Sequence, residues 1–171
     1  RKEMGEAIDH LRDAHVEGIV VLAPMKSSID AIVDLRSDVP MVVTSGSTNV
    51  ATTVGIDQEL GARLATRHLL ELGHRTVHHV RGPKGWIGAE ARAKGWRDEL
   101  KAHGRPVPTC RVGDWTPASG YAAGKAIAAD RDVTAVFVGN DEMALGLMLA
   151  FDEAGLRVPQ DVSIVGFDDT P

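Results

Sequence analysis

The chain has 171 residues, 43% of them hydrophobic, and a formal net charge of -5. That is enough apolar material for one compact domain or two small lobes, and the basic residues are dispersed, which excludes the Lys/Arg stripe that duplex DNA or an anionic membrane requires. Cys110 is the one cysteine, so an internal disulfide is excluded and a reducing compartment fits, and no apolar run approaches the length of a membrane span.

Met4, Ile8 and Leu11 recur at helical spacing, and Gly18 closes that segment before the strand run GIVVLAP. A helix therefore opens the chain. A doubly wound lobe normally places a strand before such a helix, and the first residue is Arg1 rather than Met, so the natural protein is expected to extend upstream. Ser27 or Ser28 is placed to cap a second helix carrying Ile29, Ile32 and Val33, and Pro40 introduces the strand MVVT. Ser45 to Thr53, with SGSTN, reads as a loop, and Thr53 to Ile56 as a short strand ending at Asp57, which caps the next helix. That helix, Gln58 to Leu72, carries Leu60, Leu64, Leu69 and Leu72 on its expected apolar side and stops at Gly73. The division between lobes is expected there, with residues 1–73 in the first and 74–171 in the second.

Thr76 to Arg81 reads as a strand in which His78 and His79 face opposite ways, because side chains alternate. They cannot share a metal. His74 adds no partner cysteine or helical His pair, so these residues read as core or rim histidines and no metal site is expected. Beyond Gly82 and Pro83, Ala89, Ala93, Trp96 and Leu100 form one helical stripe. Arg92 lies off that stripe, either as a solvated or ion-paired side chain or as a fork able to grip a polar ligand. Mid-helix Gly95 implies close packing, and Trp86, in a loop, is less readily assigned to a core than Trp96. Thr109 to Gly113 is the next strand, followed by Asp114, Trp115 and the helix-starting pair Thr116 and Pro117. Trp115 is either a packed plug or an aromatic face for a flat ligand. The alanine-rich helix from Tyr121 to Ala129 carries Gly124, which suggests close packing on a sheet.

Thr134 to Pro171 supplies a whole strand, helix and strand. Thr134 to Val138 is the short apolar run of a strand buried on both faces, Asn140 and Asp141 can cap the helix from Glu142 to Ala154, and Gly155 ends it. Val162 to Phe167 is a second such strand, stopping at Asp168 and Asp169. Joined by a right-handed crossover, the two strands present Asn140 and Asp168 together at their carboxyl ends, the edge where open α/β sheets bind small molecules. Asn140 as a cap and Asp168 as a turn residue remain the plainer alternative.

Five segments, in order, carry a resemblance: VGIDQELGARLATRHLLELGHRTVHHVRGP, EARAKGWRDEL, GDWTPASGY, TAVFVGNDEMALG and AGLRVPQDVSIVGFDDTP. The chain resembles the effector-binding core of the LacI/GalR family of bacterial transcription regulators, with the first fifty residues similar only in general pattern. The resemblance implies an α/β, periplasmic-binding-protein-like type I fold of two doubly wound parallel-sheet lobes with the effector between them, incomplete in this chain. It also implies a homodimeric core, a cytoplasmic location, and operator DNA bound through an N-terminal helix-turn-helix domain that this chain lacks. Residue by residue, Arg92 matches the effector-contacting arginine, Asn140 the asparagine of N-D-x-M-A-x-G, and Asp168 the first aspartate of G-[FY]-D-D. Trp115 matches a pocket aromatic of sugar-responsive members, and Asp57 a cleft position that touches ligand in only some members.

A secreted or periplasmic sugar-binding protein shares the implied fold and is the alternative function. An enzyme is the third class, but the chain has no phosphate-cradling glycine loop with lysine and no nucleophile, base and acid set in context. No cofactor is expected. Trp115 offers an apolar face, Asp168 accepts hydroxyl protons, Arg92 donates in a fixed fork and Asn140 does both, which suits a sugar or polyol, with a purine as the main competitor.

Overall fold

The computed structural model describes residues 2–33, 38–44, 52–130 and 132–170. The expected SGSTN loop lies outside them, apart from the strand that follows it. The chain divides into two compact units, Arg1–Asp57 with Gly85–Gly88, and Gln58–Lys84 with Ala89–Pro171.

In the first unit, helix α1 (Lys2–Asp13), strand β1 (Ile19–Leu22), helix α2 (Lys26–Val33), strand β2 (Met41–Thr44) and strand β3 (Thr52–Val54) form a parallel sheet in the order β1-β2-β3. Ile8 and Ile32 pack with Ile19, Val21 and Val43 on one face. Val20 and Leu22, on the opposite face of the alternating strand, are exposed. The second helix starts at Lys26, so Ser27 and Ser28 lie inside it and do not cap it.

The second unit holds helix α3 (Gln58–Glu71), strand β4 (His78–Arg81), helix α4 (Ile87–Ala102, its first two residues in the first unit), strand β5 (Arg111–Val112), helix α5 (Pro117–Ala128), strand β6 (Ala135–Val138), helix α6 (Asp141–Glu153) and strand β7 (Ser163–Val165). All pairings are parallel, in the order β5-β4-β6-β7, so the two strands read from the last segment are neighbours. Helices cover both faces. Val136 and Val138 point to α5 and α6, among Ile127, Met143, Leu147 and Phe151, while Ala135 and Phe137 point to α3 and α4, among Leu69, Trp96 and Leu100. Every residue of β6 is buried, as its unbroken apolar run requires.

The structure moves the division between units from Gly73 to Asp57. The cause is α3. Its buried face is Ala62, Thr66, Leu69 and Leu70, and these pack on the sheet of the second unit, whereas Leu60, Leu64 and Leu72 are exposed. A Cβ on Gly95 of α4 would meet the Glu59 carbonyl of α3, so the two backbones touch at this point. Glu99 of α4, fully buried, then accepts from the guanidinium Nε of Arg63 at 2.9 Å and of Arg67 at 2.6 Å, locking the pair. The glycine of α5 has a different partner from the one expected. Gly120 and Gly124 face α6, and Gly146 of α6 returns the contact against Pro117, so the small residues pack helix on helix and not helix on sheet.

Candidate functional site

Four of the sequence-predicted residues meet at the carboxyl edge of the second unit's sheet. Asn140 follows β6 and caps α6, its Oδ1 accepting from Met143 N at 3.0 Å. Its Nδ2 donates to the Trp115 carbonyl at 3.1 Å, so the residue that caps the helix also ties the β6 tip to the β5 tip. Each side-chain atom keeps one further bonding position.

Trp115 sits in the left-handed region at φ 76°, where a bulky residue is an outlier that its surroundings must hold. Asp114 does the holding. Its Oδ1 accepts from the Thr116 amide at 3.0 Å and from the Thr116 hydroxyl at 2.6 Å, and these bonds keep its carboxyl below the usual aspartate range. The indole lies over Gly82, whose position has no room for a side chain beneath the ring. Both readings of Trp115 therefore meet in one geometry: one face packs on backbone, and the residue is only half-buried.

Arg92 is buried, which its place off the apolar stripe of α4 did not suggest. It reaches the sheet edge and binds three elements at once: its Nε donates to Gln58 Oε1 at 2.6 Å, Nη1 to the Gly139 carbonyl, and Nη2 to Asp168 Oδ1 at 3.2 Å. Its guanidinium carbon stands 3.7 Å from the Phe167 ring centre and 5.8 Å from that of Trp115, inside cation–π range of both. Burial lowers its pKa, opposed by the negative charges of Asp168 and Asp141. An arginine remains protonated under such shifts.

Asp168 is exposed except where it meets Arg92, and it follows β7 at φ 107°, with Asp169 next at φ 58°. Two consecutive non-glycine residues in the left-handed half of the map mark a held turn. Trp86 and Asp57 fall in the first unit: Trp86 pairs with Met25 in an isolated antiparallel bridge, and Asp57, exposed, immediately precedes α3. Gln58, Phe167 and Asp141 were not singled out as site residues from the sequence. Phe167 read as the last core residue of its strand, and nothing in the spacing of Gln58 signals that Arg92 folds back to it. The three histidines near β4 have separate roles: His74 bridges Thr134 Oγ1 and Ser163 Oγ, His78 faces Asp130 at 3.9 Å, and His79 is fully buried.

A sequence profile described as periplasmic binding protein-like domain matches residues 66–171. The chain belongs to that family. The relatives of this periplasmic binding protein-like chain include several repressors. It is 33% identical to the lactose operon repressor of Escherichia coli (strain K12) over 96% of its length, and 36% identical to the HTH-type transcriptional repressor PurR of Edwardsiella ictaluri over 92%. It covers 46% and 48% of those proteins, so it spans about half the length of the curated relatives it matches. Among solved structures, it is similar to the lac repressor dimer bound to operator and the anti-inducer ONPF, with a TM-score of 0.86, 32% identity, and coverage of 97% of this chain and 59% of that one. It is similar also to the complex of the transcriptional regulator CelR with cellobiose, at a TM-score of 0.82 and 32% identity, covering 96% of this chain and 53% of that one. The two parallel sheets match the α/β architecture of that effector-binding fold.

Proposed function

We propose that this chain is the effector-sensing part of a LacI-type transcriptional repressor, and that its ligand is a sugar or sugar-like polyol held at the carboxyl edge of the second unit's sheet by Arg92, Trp115, Asn140 and Asp168. The observation that carries the ligand assignment is the meeting of Arg92 and Asp168 at 3.2 Å beside the Trp115 indole. Three of the five guanidinium N–H groups are engaged, which leaves two to donate. Asp168, half-exposed, has lone pairs for ligand hydroxyls, and Asn140 retains one donor and one acceptor. A hydroxylated ring presents donors and acceptors in alternation with an apolar face, which this set matches.

Relatives that are repressors, and a structural neighbour that is a transcriptional regulator in complex with cellobiose, support a regulator over a transport protein. The same reading makes the protein cytoplasmic, without catalytic activity or cofactor, and homodimeric. Among the described residues no helix is long and apolar enough to cross a membrane. Operator DNA would be bound by a domain outside these 171 residues, because a net charge of -5 without a basic stripe supplies no counterion-release driving force. For the dimer, Leu145, Met148 and Leu149 form an exposed apolar row on α6, a surface that water leaves poorly satisfied.

Calorimetry with lactose, cellobiose and hypoxanthine on the wild type, Asp168→Ala and Arg92→Ala tests the assignment. A disaccharide should bind the wild type, and each substitution should cost about 1 to 3 kcal/mol by leaving ligand hydroxyls unpaired. Binding of the purine alone, or equal disaccharide binding by all three proteins, would show the assignment to be wrong.

A further inference from the structure

The segment after β7 makes two consecutive left-handed residues, Asp168 and Asp169, neither of them glycine. Such a backbone persists only when its surroundings over-determine it. The restraint is visible on the first turn of α6. Asp141 turns its carboxylate toward the segment, and its Oδ1 accepts from the Phe167 amide at 2.8 Å while its Oδ2 accepts from the Thr170 amide at 2.8 Å. The two bonds bracket the strained pair. Gly166 makes the approach feasible, since a Cβ there would run into Asp141 Oδ1. In the opposite direction, Asn140, the neighbour of Asp141, holds the Trp115 carbonyl.

We infer that Asp141 is a positioning residue for the ligand site, one that touches no ligand but fixes the turn on which Asp168 is presented to Arg92 and to the bound molecule. The inference rests on the sugar-binding reading for its ligand arm, and on nothing beyond this geometry for its structural arm. An aspartate suits the task because both of its oxygens accept, whereas the isosteric Asn offers one acceptor and turns its amide N–H groups toward a donor. Position matters too: as the first residue of α6, an aspartate is compatible with the helix dipole independently of this role.

The test joins two perturbations and two readouts on the full-length protein. Asp141→Asn removes one acceptor, and Gly166→Ala displaces the same carboxylate from the other side. By amide hydrogen exchange, both variants should exchange Phe167 and Thr170 at least tenfold faster than the wild type, with Val136, Phe137 and Val138 still protected. By calorimetry with cellobiose and lactose, Asp141→Asn should weaken binding about tenfold in the wild-type background and leave it unchanged in an Asp168→Ala background, since its action passes through Asp168. A purely structural role would lower affinity equally in both backgrounds and would overturn the inference. Unchanged exchange at Phe167 and Thr170 in both variants would also overturn it. Should neither disaccharide bind the wild type, the sugar reading falls, and the exchange result alone decides the role of Asp141.

Discussion

Acidification should destabilise this fold most steeply between pH 6.5 and about 4 through one buried imidazole, His79. The ring is fully inaccessible, stacked on Phe137 with centroids 4.7 Å apart and tilted against Trp96 at 5.2 Å. Its Nδ1 lies 2.8 Å from the Phe137 carbonyl, which fixes the tautomer with the proton on Nδ1, and its Nε2 has no partner among the described residues. A proton on Nε2 would place an unsolvated cation in the core, and burial accordingly lowers the pKa from 6.5 to about 4. Since the unfolded chain binds that proton near pH 6.5 and the folded one does not until about pH 4, stability is fully present above pH 6.5 and is lost as pH falls between those values. A separation of about 2.5 units corresponds to about 3 kcal/mol in full, and to about 2 kcal/mol by pH 5. Urea denaturation at pH 8 and pH 5 measures it, with His79→Leu as the comparison. The variant should start less stable, having lost the bond to Phe137, yet should lose about 2 kcal/mol less than the wild type between the two pH values. His74 and His78, also lowered by partial burial, contribute equally to both proteins and cancel. Parallel losses in wild type and variant would show that His79 does not carry the pH dependence.

Three further outcomes follow from packing and exposure. Gly146→Ala should destabilise by about 1 to 3 kcal/mol, because a Cβ there strikes the Pro117 backbone and α5 and α6 must separate; thermal denaturation reads the loss. Leu145→Lys, at a site that is 65% exposed, should leave the monomer's stability nearly unchanged while shifting sedimentation of the intact protein from dimer toward monomer at micromolar concentration. Glu99→Gln should lower the denaturation midpoint at pH 7 and lessen the further loss on acidification. Bonds from Arg67 and then Arg63 hold the Glu99 carboxyl below its ordinary range, so the stability they lend is present above the unfolded value of 4.5 and disappears as pH falls through the folded one.

The strand tips were legible in the sequence because they obey short-range rules. An apolar run ending in Asn140 or Asp168 tells where a parallel strand stops, and the pairing of β6 with β7 follows from the crossover between them. Trp96, Gly95 and the stripe of α4 were legible for the same reason, since helical period and glycine cost are local properties. The face of α3 was not. Four leucines at near-helical spacing outweighed Ala62 and Thr66 in the pattern, yet the close approach of α4 at Gly95 admits only small residues, so Leu60 and Leu64 turn outward and the helix joins the second unit. Arg92 was legible as a candidate but not as a buried hub, because its partners Gln58, Gly139 and Asp168 lie 34, 47 and 76 residues away. Long-range polar closure leaves no periodic trace. Asp141 was hidden by its own adequacy as a helix-start residue.

Whether a hydroxylated ligand occupies the edge formed by Arg92, Trp115, Asn140 and Asp168 is decided by a crystal structure of the full-length protein with bound cellobiose or lactose. Ring hydroxyls should lie within hydrogen-bond distance of the Asp168 carboxylate and the free N–H groups of Arg92, with an apolar ring face toward the Trp115 indole. A sugar bound elsewhere, with these four side chains still making only their present contacts, would contradict this placement.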